Sequence, residues 1–323
     1  GVDCNPLAYG LYDKTLFDKT YTVPRADDPG YWKAIVAIIE TENIDAAVIL
    51  PEVEVIEWAK NSHLKLKKQV KTHLPDIELA TVLVNKHRLH DILEATDSIP
   101  RFSRVDPLDY SYSTISEDVG HTFWIRSTEG SSGLGSLKIE SESALKQWLS
   151  INETVSEFIA TEYLAGRNMA CKMLYFDGKL VRSACAERVN YIMAKVAPSG
   201  ITGNTSFGRL INEPDLVTLS EETLGFISNE VGCKLNWIFT VDFKEDANGS
   251  PKITEINIRH VAFTSSMAAG GANIPFDTLD MMMNGFNADT AQRIDYHYDD
   301  EYIFLRDVDS EPIIMKEKDL LRA

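Results

Sequence analysis

Residues 241–260, VDFKEDANGSPKITEINIRH, admit few structures other than a β-hairpin. Asn248-Gly249 is a strong signal for a two-residue turn, because both central positions of that turn need a positive φ. Closing the turn there pairs Ala247 with Ser250, and counting outward sets Asp242 directly opposite Glu255. Side chains alternate across a strand, so Glu255, Asn257 and Arg259 share one face. Ile256 and Ile258 take the other face, with Val241 and Phe243 beside them. Two carboxylates directly opposed repel each other, and a cation between them would resolve that. Oxygen ligands without His or Cys favour a hard ion such as Mg²⁺ or Mn²⁺. Asp242, Glu255 and Asn257 are therefore the candidate metal ligands, and Arg259 could hold a phosphate oxygen beside them. Taken alone, these residues also suit a plain, solvent-facing polar hairpin.

The rest of the chain narrows the setting. At 323 residues it can bury a substantial core in two or three domains. A formal net charge of −17 argues against nucleic-acid and membrane partners, since both demand basic surfaces. Cys4, Cys171, Cys185 and Cys233 are scattered, without a C-x-x-C pair, which fits a reduced, cytoplasmic protein. No apolar run approaches the roughly 18 residues of a membrane span. The opening GVDCNP reads as the end of a strand already under way, so an upstream segment is expected, with a nucleotide-type α/β unit lacking its first turn.

Along the chain, residues 21–50 combine a loop, an amphipathic helix from Asp28 to Glu42 and a strand at AAVIL. This grammar predicts a small parallel α/β domain over residues 1–75. Residues 52–73 read as a basic helix, and TVLVNKHRLHDILEAT as another. From His121 the rhythm changes to α+β with antiparallel sheet. TFWIR and SLKIE read as strands, and Ser141 as the N-cap of a helix. Asp177-Gly178 marks the tip of a second hairpin, a helix runs from Leu219 to Val231, and YHYDDEYIFL reads as a terminal strand covering a sheet edge. His63, His73, His87 and His90 are expected on helical surfaces and His260 in a structural role. Met281, Met282 and Met283 read as gap-filling core.

Between the two strands after His121 lies STEGSSGLG, inside the segment RSTEGSSGLGS (residues 126–136). Small flexible residues let backbone N–H groups close over phosphates. It is neither a Walker A loop nor a dinucleotide fingerprint, because the Lys-Ser/Thr signature is missing and the glycine spacing differs. Each of these signals has a plainer explanation when taken singly; their order is more informative. Lys86 lies on a helix, then come Arg126 and the Gly/Ser loop, then Glu162 through Gly166, then the acidic hairpin. In that order the chain resembles the ATP-grasp superfamily over essentially its whole length, and within it the carbamoyl phosphate synthetase large-subunit group. VPRADDPGYW and ENIDAAVILPE resemble that group's preceding α/β domain, and TEYLAG its hinge. EINIR, with Asp242 upstream and GGANIPFD after it, carries the most specific part of the likeness.

The resemblance implies a two-lobed ATP-grasp domain with antiparallel sheets, one lobe over residues 76–165 and the second over 166–323. It implies that Lys86 and Arg126 contact ATP phosphates, and that Ser131, Ser132 and Gly133 lie in the covering loop. Glu162 and the backbone of Tyr163 and Leu164 would receive adenine, with Asn168 beside the nucleotide. Asp242, Glu255 and Asn257 would hold Mg²⁺, and Arg259, Arg188 and Arg126 would face the transferring phosphoryl group or the substrate. Asn168 stands where relatives have Glu, and Lys172 where they have an acid.

The implied activity is an ADP-forming carboxylate–amine or carboxylate–ammonia ligase working through an acyl phosphate, with small-molecule partners; a homodimer is compatible with the chain. Two other classes stay open at this point. A nucleotide-binding sensor without efficient transfer would suit Asn168 and Lys172, and a dinucleotide-dependent oxidoreductase would suit Asp3 at a strand end. Residues 188–209 would select the substrate, with Arg188 and Arg209 as possible carboxylate anchors, but they carry no readable code.

Overall fold

Alternating apolar residues build two antiparallel sheets within residues 73–306, one of two units into which the chain divides. The structure is a computed structural model and describes residues 1–61, 69–128 and 135–307. The other unit contains residues 1–72. In it β1 (Val2–Asp3) pairs in parallel with β2 (Tyr21–Thr22), followed by α1 (Tyr31–Thr41) and α2 (Glu52–Lys60). The Tyr31 hydroxyl ties the two helices, donating to Glu54 at 2.7 Å and accepting from the Trp58 indole at 2.8 Å. Two sequence expectations need correction here. AAVIL makes only an isolated parallel bridge, Ala46 to Lys71, instead of a full strand. The second helix ends at Lys60, where Asn61 caps it through its own N–H, and residues 62–68 lie outside the described chain.

In the unit of residues 73–306, the single helix expected over TVLVNKHRLHDILEAT is two: α3 (Ile77–Val84) and α4 (Lys86–Leu93). Asn85 breaks them. Its backbone is extended (φ −95°, ψ 110°), and its side-chain oxygen accepts the Arg88 N–H, which caps α4. Local side-chain capping has outcompeted helix continuation, and the break places Lys86 at the first turn of α4. Then follow β3 (Phe102–Val105), α5 (Tyr112–Val119), β4 (Phe123–Ser127), β5 (Leu137–Ile139), α6 (Glu142–Ile151) and β6 (Phe158–Glu162). Ser141 caps α6 as expected, accepting the Ala144 N–H. The four strands order as β3-β6-β4-β5. Phe123, Ile125, Phe158 and Ala160 fill the layer between this sheet and helices α5 and α6, each large side chain contributing roughly 1.5–3 kcal/mol.

The larger sheet begins with β7 (Asn168–Phe176) and β8 (Lys179–Tyr191), joined by the turn at Asp177-Gly178. Both turn residues have positive φ, 45° and 83°, as a two-residue hairpin turn requires. It continues with β9 (Thr205–Ile211), α7 (Pro214–Val231), β10 (Trp237–Glu245), β11 (Pro251–Asn257), α8 (Thr264–Ala269), α9 (Ile274–Asn284), β12 (Ile294–Asp295) and β13 (Ile303–Leu305). Helix α7 starts five residues before the expected Leu219, because Pro214 suits a first helical turn. Seven strands run β11-β10-β7-β8-β9-β13, with β12 pairing in parallel to β8. The terminal strand β13 covers the β9 edge, as the sequence suggested.

The β10–β11 hairpin reaches its expected register by an unexpected route. Its loop has three residues, 247–249, because the Asp246 N–H donates to the Ser250 carbonyl and Asp246 itself accepts the Asn248 and Ser250 N–H groups. That shifts the near-turn pairing by one residue, to Phe243 with Ile253 and Lys244 with Lys252. A bulge at Thr254 then absorbs one residue and restores Asp242 opposite Glu255. Val241, Phe243, Ile253, Ile256 and Ile258 are all buried. The histidines differ from expectation: His73, His87 and His90 are buried. His73 is on no helix, and its ring stacks on Phe176 at 3.9 Å. His63 lies outside the described residues. Met281 and Met282 pack partly against the core of the larger sheet, whereas Met283 is exposed.

Candidate active site

Strand alternation gathers the polar face of the larger sheet. Asp242 on β10 has Glu255 across one flank and Ala170 on β7 across the other, while Asn257 pairs with Thr240. The Asn257 amide donates to both carboxylates, to Asp242 at 2.9 Å and to Glu255 at 3.0 Å. From β8, Arg188 reaches Asp242 at 3.0 Å, with both side chains nearly sealed from solvent. Arg126, at the end of β4, donates to the Thr254 carbonyl and approaches Glu255 at 4.0 Å. It therefore links the smaller sheet to the bulge. Lys86 is fixed on the same side by its N–H, which donates to the Thr128 carbonyl at 3.3 Å.

The charges are arranged unequally on the two acids. Burial pushes Asp242 up to about 6; Arg188 opposes this and Glu255 adds to it. Burial would also raise Glu255, but Lys86, Arg126, Asn257 and Arg188 together hold it below the ordinary carboxylate range. Burial pulls Arg126 down, against Glu255 and Asp242. Burial works on Arg188 in the same sense, but Asp242, Tyr191 and Glu255 together outweigh it and hold the guanidinium charged.

Lys86, Arg126, Glu162, Tyr163, Leu164, Asn168, Arg188, Asp242, Glu255, Asn257 and Arg259 all line one pocket. Arg259 does so although β11 ends at Asn257. Ser131, Ser132 and Gly133 lie outside the described residues. The Glu162 carboxylate is already engaged, accepting from the Arg101 backbone and guanidinium. Asn168 donates to the Tyr191 hydroxyl. Arg209 pairs with Glu187 at 2.9 Å and is not part of the pocket wall. Lys172, on the same sheet face as Asp242 and Asn257, is fully buried, with its ammonium 3.4 Å from the His260 ring. Burial, and then Arg259, pulls it down to about 7, against the pull of Asp242.

Several lining residues were missed from sequence. Lys244 faces the pocket beside Tyr163, whose ring lies 5.9 Å from its ammonium. Period-two alternation from Asp242 would have found it. Trp124, Thr161, Val261 and Phe263 also line the pocket, and only the tertiary fold brings them there.

The Asp242 and Glu255 carboxylates share this face with the Asn257 amide, which turns its N–H groups toward them; with that amide flipped, its oxygen would complete an oxygen-only donor set that suits a hard divalent ion. Among the described residues no group of three or more His, Cys, Asp or Glu is placed to hold a metal ion, so any ion here would rely on the two carboxylates and the amide.

Comparison with solved structures relates this arrangement to known folds. N5-carboxyaminoimidazole synthetase from Staphylococcus aureus, complexed with ADP, superposes with a TM-score of 0.68 at 15% identity, over 94% of this chain and 74% of that one. Biotin carboxylase from Campylobacter jejuni, as a β,γ-ATP complex, gives 0.61 at 16% identity over 88% and 65%. L-amino acid ligase from Bacillus licheniformis gives 0.60 at 13% identity over 85% and 65%. This is the ATP-grasp fold. No family model and no curated protein matches the sequence, so the likeness is one of structure. The chain spans about three quarters of the first of these ATP-grasp structures and just under two thirds of the other two. Among the described residues no helix is long and apolar enough to cross a membrane.

Proposed function

We propose that this chain is an ADP-forming ligase that activates a carboxylate with ATP and passes the acyl group to an amine or ammonia. The observation that carries the reading is the meeting of Asp242, Glu255 and Asn257 with Lys86, Arg126, Arg188 and Arg259 around one pocket of an ATP-grasp fold. Attack of a carboxylate on a γ-phosphoryl group brings two anions together, so the site must neutralise the approach. A Mg²⁺ or Mn²⁺ ion held by Asp242, Glu255 and Asn257 would supply part of that charge. Lys86 and Arg126 hold phosphate oxygens, Arg259 faces the transferring group, and Arg188 fixes Asp242 while offering its guanidinium to the substrate. Tyr163 and Leu164 line the side assigned to adenine.

In the first step a carboxylate oxygen bonds to the γ-phosphorus and the bond to the ADP oxygen breaks. In the second, the amine nitrogen bonds to the acyl carbon, inorganic phosphate leaves and the nitrogen loses a proton. Water must be excluded meanwhile, a role for the Gly/Ser segment that includes Ser131, Ser132 and Gly133. Arg126, where many ATP-grasp proteins have Lys, favours the carbamoyl phosphate synthetase-like branch of the fold.

The test is Mg²⁺-dependent ADP release across a panel of carboxylic acids, with hydroxylamine present to trap acyl phosphate as hydroxamate. Acid-stimulated ADP and hydroxamate support the ligase; AMP as product would refute the acyl-phosphate route. One observation favours a second reading, a nucleotide-binding sensor: Asn168 replaces an acid and is held by Tyr191. That reading expects Mg-ATP binding without acid-dependent turnover.

A further inference from the structure

We infer that Lys244 holds the nucleotide by its α-phosphate. The inference rests on the nucleotide-binding part of the reading above and adds a contact to it. Lys244 lines the pocket, is half-buried, and lies on the same face of β10 as Asp242, two positions nearer the turn. Its ammonium is 5.9 Å from the Tyr163 ring. A nucleotide with its outer phosphates at Asp242 and its base beside Tyr163 therefore runs past Lys244. The first phosphate it presents there, counting from the sugar, is the α-phosphate.

The charges around Lys244 call for an anion. Lys86 and Arg126 act on Glu255, and Arg188 and Arg259 on Asp242, so these pocket cations each have an acid near them. Among the described residues Lys244 has none: burial alone acts on its ammonium, pulling it below the usual lysine value with no acid opposing. Its cross-strand neighbours bring no negative charge. Asn168 on β7 is neutral, and Lys252 on β11 is a second lysine, with its ammonium 2.6 Å from the Asp97 carboxylate. The next residue, Glu245, is held by Arg167 at 2.9 Å. The Tyr163 ring already carries the Lys138 ammonium at 4.8 Å, and a ring at 5.9 Å offsets little of the cost of burying a charge. A phosphate oxygen would supply the missing partner; the base and the sugar of a nucleotide are uncharged.

The experiment titrates adenosine, AMP and ADP, with Mg²⁺ present, into the full chain and into its Lys244→Met and Lys244→Arg variants. Adenosine and AMP differ only in the α-phosphate. The parent should bind AMP at least about 10-fold more tightly than adenosine, and Lys244→Met should lose most of that difference while binding adenosine unchanged. Lys244→Arg still offers donors to phosphate and should keep it. Lys244→Met should be no less stable in urea than the parent, because it removes a half-buried charge without a partner. In turnover its KM for ATP should rise about 10-fold with kcat changed less, since the α-phosphate is not the reacting group. Equal weakening of adenosine and AMP would move the contact to the nucleoside and overturn the inference, as would unchanged AMP binding; acid-dependent ADP release would then leave the ligase reading standing. Loss of the AMP advantage, with no acid-dependent ADP release from the parent, would uphold the contact and sink the reaction. If the parent binds none of the three, both are overturned.

Discussion

Asp242 and Glu255 face each other across β10 and β11, and the Asn257 side-chain amide donates a hydrogen bond to each. One neutral group thus bridges two carboxylates, at the point where Arg188 and Arg126 approach from β8 and β4.

That relationship predicts how the proposed metal site fails. Glu255→Gln keeps the shape and removes one negative charge, so Mg²⁺-dependent ADP release should fall by about 10²-fold or more while the fold is retained. Asn257→Leu should weaken Mg²⁺ binding about 10–100-fold. Calorimetric Mg²⁺ titration with an ATP analogue, beside circular dichroism, checks both; normal turnover in folded Glu255→Gln would remove Glu255 from the site.

Arg188 compensates a buried carboxylate, so Arg188→Leu should destabilise the protein by about 3–5 kcal/mol. Mg²⁺ should restore part of that loss by binding the freed Asp242. Urea unfolding with and without Mg²⁺ measures both effects. A variant as stable as the parent would show that the pair contributes nothing.

Lys172 is fully buried and pulled down to about 7 by burial and Arg259. A lysine depressed in the folded state contributes stability that is present above its ordinary value near 10.5 and is lost as pH falls through 7. Lys172→Met should therefore raise stability at pH 7 by about 1–4 kcal/mol, and the gain should shrink as pH rises towards 10. Thermal unfolding of both proteins across pH 6–10 tests the sign.

Gly166 ends the TEYLAG segment, where an added Cβ would lie 2.5 Å from the Glu245 Cβ and 3.0 Å from its carbonyl oxygen. Its N–H also donates to that carbonyl. Gly166→Ala must push this segment away from β10, at a cost of about 1–3 kcal/mol. Urea unfolding reads the loss, and an unchanged midpoint would mean that the segment relaxes freely.

Much of this was legible in the sequence because it depends on local rules. Period-two alternation puts Asp242, Glu255 and Asn257 on one face, and Ser141 caps its helix wherever the chain goes. Asp177-Gly178 turns because its backbone must. Even so, the opposition of Asp242 and Glu255 came from a wrong turn length compensated by an unforeseen bulge at Thr254. Side-chain competition at Asn85 split a helix that periodicity alone made continuous. The burial of His73, His87, His90 and Lys172 was hidden for a different reason: burial depends on what packs from distant sequence, and Phe176 lies about a hundred residues from His73. The same holds for the site. Sequence determined which residues could carry the chemistry and which strand face presents them. Only the tertiary structure decided that Arg126, Arg188, Val261 and Phe263 stand around them, because charge and apolar surface act over ångströms of space and not over positions in a chain.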